Sequence, residues 1–141
     1  MENPDDVYSR VYTVATFLQS MRTPMGHLST HVLDTAHGCP AAGMRVALQR
    51  VEGDAAVTLQ THVLNADGRT GAALLDAASM AAGRYRLRFE VAAYFRGRGV
   101  VLPEPAFIDV VQLDFGIADA AGHYHVPLLV SPYSYSTYRG S

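Results

Sequence analysis

Residues 84–90 read RYRLRFE, and their order decides the fold class. Tyr85, Leu87 and Phe89 fall on one face and Arg84, Arg86 and Arg88 on the other, a period of two that a strand satisfies and a helix does not. Upstream, residues 44–51 (MRVALQRV) alternate in the same way, Gly53-Asp54 marks a turn, and residues 57–64 give another strand. Residues 28–35 (LSTHVLDT) are rich in β-branched side chains and read as the first strand, with Cys39-Pro40 and Gly43 marking the turn after it. Residues 65–68 (NADG) form a tight turn, and residues 74–80 are too short and Ala-rich to assign. Downstream, residues 91–98 lose the alternation and predict a short helix ended by Gly97 and Gly99. Residues 107–118 and 123–130 read as long strands, and Ser131-Pro132 turns the chain into a last one at 134–139. The sum is seven or eight strands and at most one short helix, with turn signals spaced as in an antiparallel sandwich.

Composition narrows the chemistry. The 141 residues are 49% hydrophobic and 17% charged, which suits one domain able to bury its own core. All 11 basic residues are Arg and none is Lys, so Schiff-base chemistry, lysine-anchored pyridoxal phosphate and a P-loop lysine are excluded together. The single cysteine, Cys39, permits neither an intrachain disulfide nor a multi-cysteine zinc site, and its neighbour His37 lacks the oriented third partner of a Cys-His nucleophile. A net charge of −2 offers no general attraction for nucleic acid, and no apolar run of 18 residues is present to span a membrane. Residues 1–26 read as an extension ahead of a domain at 27–141. Its stretch VYTVATFLQSM (11–21) is mildly apolar, but Glu2, Asp5 and Asp6 make the start acidic where a secretory signal is basic. The expectation is a cytoplasmic protein, with the periplasm as the alternative.

Several residues carry chemistry only in combination. His31 lies within the first strand, where a lone histidine usually sits on the sheet surface. His123 and His125 share a strand face, the spacing of a two-ligand metal half-site, but no third ligand lies near in sequence, and two surface histidines beside a turn are the plainer reading. Arg69 follows the 65–68 turn; an arginine there is usually solvated, yet it is the side chain that grips planar anionic groups. The ending Tyr138-Arg139-Gly140-Ser141 continues a strand almost to the terminus, with Ser134, Ser136 and Tyr138 on one face. Such a small polar face suits a lined channel better than a dry core.

Taken together, three segments resemble the transthyretin-like 5-hydroxyisourate hydrolases: residues 28–43 (LSTHVLDTAHGCPAAG), residues 65–69 (NADGR) and residues 123–141 (HYHVPLLVSPYSYSTYRGS), which end in the Tyr-Arg-Gly-Ser tetrapeptide of the enzymes. Residues 131–137 (SPYSYST) are also similar to the hormone carrier transthyretin. The resemblance implies an all-β sandwich of two four-stranded sheets with one short helix. It also implies a homotetramer, a dimer of dimers whose central channel holds the active sites. His31, Arg69, His125 and Ser141 would then be catalytic, with Tyr138, Arg139 and Gly140 joining His31 and Arg69 in binding substrate. The substrate implied is 5-hydroxyisourate, opened by water to 2-oxo-4-hydroxy-4-carboxy-5-ureidoimidazoline with no metal or other cofactor. Two alternatives stand beside this one: a carrier using the same channel, which by the same resemblance lacks the two histidines, the turn arginine and the terminal tetrapeptide, and a structural or adhesive module.

Overall fold

The computed structural model describes residues 26–140, so the apolar stretch at 11–21 and the terminal Ser141 lie outside the described residues. One sheet contains β1 (His27–Asp34), β2 (Cys39–Pro40), β7 (His123–Val130) and β8 (Tyr135–Thr137) in the order β2-β1-β7-β8. The other contains β3 (Arg45–Glu52), β4 (Ala55–Val63), β5 (Gly83–Glu90) and β6 (Val110–Ile117) in the order β4-β3-β5-β6. The helix α1 (Val91–Gly97) follows β5 directly and buries Val91, Ala92, Tyr94 and Phe95, an i, i+3, i+4 stripe on one face. The two-sheet sandwich with one short helix is the architecture expected from the sequence.

Four expectations need correction. Cys39 and Pro40 are not only turn residues: they form a two-residue strand against Asp34 and Leu33. The strand expected from residue 107 begins at Val110, and the last strand shrinks to Tyr135–Thr137. The sandwich is also not wholly antiparallel, because β1 and β7 pair in parallel. Turn signals report which neighbouring strands fold back on each other. They carry no information on a pairing between residues about 96 positions apart.

The core lies between the sheets. Leu28, Val32 and Leu128 from one sheet meet Leu48, Leu87 and Phe89 from the other, with Phe95 of α1 beside them, all fully buried. Each such side chain contributes about 1.5–3 kcal/mol relative to exposure. Along β1 the burial alternates strictly, with residues 28, 30, 32 and 34 inward. The sequence hides this because two of the inward residues, Thr30 and Asp34, are polar, and both are paired. Thr30 Oγ1 donates to the Val126 carbonyl at 2.7 Å and so ties β1 to β7. Asp34 accepts from the backbone N–H groups of Ala36 and His37, lies 2.6 Å from His37 Nδ1, and accepts from the Tyr94 hydroxyl at 2.8 Å. Burial pushes its carboxyl up, but the Tyr94 and His37 hydrogen bonds outweigh that and hold it below the usual carboxylate range. Burial, together with the same contact, pushes the Tyr94 phenol well up, so it stays a donor.

The 65–69 turn docks on β1. Asn65 Oδ1 accepts from the N–H groups of Asp67 and Arg69, and the Gly68 N–H donates to the Asn65 carbonyl at 2.9 Å. Gly68 then reaches the strand: its carbonyl accepts from Val32 N–H at 3.0 Å. Its φ is +72°, and a Cβ there would stand 2.5 Å from the Val32 carbonyl oxygen. Gly68→Ala is therefore expected to cost about 1–3 kcal/mol, read from the denaturant midpoint. Gly53 is the control: its φ is +59° but a Cβ would meet nothing within 4 Å, so Gly53→Ala should cost less. Equal losses would show that the β1 contact adds nothing.

Candidate active site

The parallel register sets His27 beside His123, Ser29 beside His125 and His31 beside Pro127. Residues 27, 29 and 31 are the half-buried, outward members of β1, and His123 and His125 alternate with the buried Tyr124 and Val126 on β7. Four of the six histidines thus share the outer face of one sheet. The His27 and His123 rings lie 4.2 Å apart, centroid to centroid, tilted by 51°. Ser29 Oγ lies 2.8 Å from His125 Nδ1.

Arg69 comes to this face from outside the sheet. Its neighbour Gly68 is hydrogen-bonded to Val32, the residue after His31. These surroundings lower the basicity of the His125 imidazole, burial most, followed by the charges of Arg69, His31 and His27. His125 is accordingly a neutral imidazole at pH 7, with a lone pair available and a permanent cation near it. An imidazole of this kind accepts a proton from water, and a guanidinium stabilises an oxyanion.

The C-terminal segment supports the ring from the other side. After β8 the chain returns to pair Gly140 with His125, its N–H donating to the His125 carbonyl at 2.8 Å. A Cβ at residue 140 would lie 2.6 Å from the imidazole Cδ2, so glycine is what lets the backbone lie against the ring. Arg139 takes the opposite face of β7, whereas the register that pairs Leu128 with Thr137 and His125 with Gly140 sets Tyr138 beside Pro127, on the His125 face. The Arg139 guanidinium sits 4.2 Å from the centre of the Tyr124 ring and donates to the His123 carbonyl. Arg139 lines a cavity of about 490 Å³ with Tyr124, Val126, Leu113 and Phe115, and Tyr138 borders it. Of the residues singled out from sequence, His31 and His125 share the outer face with the Arg69 turn docked beside them, Gly140 lies against the His125 ring, Tyr138 follows on the same face, and Arg139 lies behind it in the single chain. Ser29 and His27 were not singled out. Their shared parity with His31 was the available signal, and it becomes meaningful only once β7 is known to lie alongside.

The His125 assignment has a direct check. Its imidazole should titrate below the ordinary histidine value of about 6.5, as read from ring proton or nitrogen shifts against pH. Because the folded value is depressed, the neutral ring's contribution to stability is present above pH ~6.5 and declines as pH falls from there toward the folded midpoint. Arg69→Gln removes one lowering charge and should move the midpoint up. An unmoved midpoint would place Arg69 outside the cluster.

Comparison with known proteins identifies the family. A family model described as HIUase/Transthyretin matches residues 28–140. The 5-hydroxyisourate hydrolase of Pseudomonas aeruginosa is 57% identical over 118 residues, covering 84% of this chain and 94% of that protein. The structure of Klebsiella pneumoniae 5-hydroxyisourate hydrolase superposes with a TM-score of 0.69 at 43% identity, over 83% of this chain and 100% of the other. Transthyretin from Sparus aurata superposes with a TM-score of 0.71 at 29% identity, over 84% and 97% of the two chains. The matched residues span both sheets and the histidine face, and the chain belongs to the HIUase/Transthyretin family.

Proposed function

We propose that this chain hydrolyses 5-hydroxyisourate to 2-oxo-4-hydroxy-4-carboxy-5-ureidoimidazoline, a step of urate degradation. The observation that carries the reading is the outer sheet face that sets His125 and His31 together beside the Arg69 turn, in a chain 57% identical to a 5-hydroxyisourate hydrolase. In the reaction, the oxygen of water bonds to a ring carbonyl carbon and the ring C–N bond breaks. One imidazole takes the water proton; the other orients the water or hands a proton to the departing nitrogen. Arg69 faces the negative charge that develops on the carbonyl oxygen. Ser141 completes the set in this reading, and Tyr138, Arg139 and Gly140 shape the pocket. The carrier reading shares the fold but gives these groups no task.

The single chain leaves His31, Arg69 and His125 on an open sheet face, with Arg69 exposed and both histidines half-buried. Electrostatic stabilisation of an oxyanion is strongest where water is excluded. A second copy laid across this face would supply that exclusion, which supports a homotetramer built as a dimer of dimers. Among the described residues no helix is long and apolar enough to cross a membrane.

The test generates 5-hydroxyisourate from urate with a urate oxidase and follows its ultraviolet decay. The protein should accelerate the decay; identical curves with and without it overturn the reading. His125→Ala and Arg69→Ala should each lower kcat/KM by about 100-fold or more while the variants stay folded and tetrameric by light scattering. Deleting Ser141 should also slow the reaction, and an unchanged rate would reduce the terminal tetrapeptide to a structural role.

A further inference from the structure

The hydrogen bond between Ser29 and His125 is not accounted for by any role so far assigned. Ser29 stands opposite His125 in the β1–β7 register, is half-buried on the outward face, and holds its Oγ 2.8 Å from Nδ1. A neutral imidazole has one N–H and one lone pair, and the partner of one nitrogen decides which atom is which. With Nδ1 committed to Ser29, Nε2 is the nitrogen left for substrate and water. Among the described residues, the groups on the ring's face or against it are His27, Ser29 and His31 from β1, His123 from its own strand, Tyr138 and Gly140 from the returning C-terminal segment, and Arg69 from the turn. None of these is a carboxylate able to hold the Nδ1 proton in the manner of a catalytic triad. The Arg69 guanidinium favours a lone pair over an N–H on the open side of the ring.

We infer that Ser29 is the positioning residue of the site: its Oγ accepts the Nδ1–H of His125, which fixes the tautomer with a bare Nε2 and makes His125 the imidazole that takes the proton from water. His31 is then left to orient the water or serve the departing nitrogen. The inference rests on the hydrolase reading for its kinetic consequence, while its structural half stands apart from it. Serine supplies a short acceptor without a charge. An aspartate there would stabilise the imidazolium and raise its pKa, whereas a hydroxyl orients the ring and leaves it neutral. Gly140 complements this by closing the Cδ2 edge of the ring, so the imidazole is held at two sides, and among the described residues no hydrogen bond occupies Nε2.

The experiment compares the wild type with Ser29→Thr, which keeps the hydroxyl, and Ser29→Val, which keeps threonine's shape without it. Nitrogen-15 spectra of histidine-labelled protein report the His125 tautomer, and rates of 5-hydroxyisourate loss give kcat and KM. The expected wild-type spectrum has the proton on Nδ1. In Ser29→Val the tautomers mix and kcat falls about tenfold or more, with KM within about twofold. Ser29→Thr should restore the spectrum and most of the rate. A wild-type spectrum with the proton on Nε2 overturns the inference, as does a Ser29→Val enzyme with wild-type kcat. Should the wild type itself fail to accelerate the decay, the hydrolase reading falls, and the spectra still decide whether Ser29 sets the tautomer.

Discussion

The parallel pairing of β1 with β7 is the constraint on which the rest of the structure depends. It joins residues about 96 positions apart and puts Ser29 opposite His125. A slip of one residue would turn His31 into the core and Leu28 out of it, since side chains alternate strictly across a sheet. The register is held from the inward face. Leu28 and Val32 are fully buried, Thr30 Oγ1 donates to the Val126 carbonyl, and Asp34 is saturated by the chain that follows it and by Tyr94 of α1. The outer face inherits its geometry from these contacts. The buried polar residues that blur the strand's pattern are thus the ones that aim its histidines.

Legibility in the sequence followed the range of the interactions. RYRLRFE announces a strand because its partners on β3 and β6 need only a face, and the loss of alternation after Glu90 locates α1. The 65–68 turn was readable from Asn and Gly alone. Its destination was not, since nothing local says that Gly68 binds Val32. Cys39-Pro40 looks like a turn because a two-residue strand is too short for periodicity to register. His31, Arg69 and His125 were each unremarkable singly and gained meaning through their joint resemblance to a family. Ser29 escaped notice for a different reason: a serine on a strand has no distinguishing chemistry until the atom it touches is known.

The ring of His125 illustrates how local restraint produces an electronic state. Burial, the Arg69 guanidinium and the neighbouring histidines all act against its protonation, with burial the largest. A nearby cation weakens a base, which at first sight opposes catalysis. The balance turns on pH. A base whose pKa lies below the working pH is already mostly in its lone-pair form, so further lowering costs proton affinity and gains little availability. The same cation lowers the energy of an oxyanion formed beside it, a gain that grows as water is excluded. The modest loss at nitrogen is therefore offset at oxygen, provided the ring stays oriented. Orientation is the part that charge cannot supply. It comes from uncharged contacts, the Ser29 hydroxyl at Nδ1 and the bare backbone of Gly140 against Cδ2, which restrain the imidazole without raising its pKa.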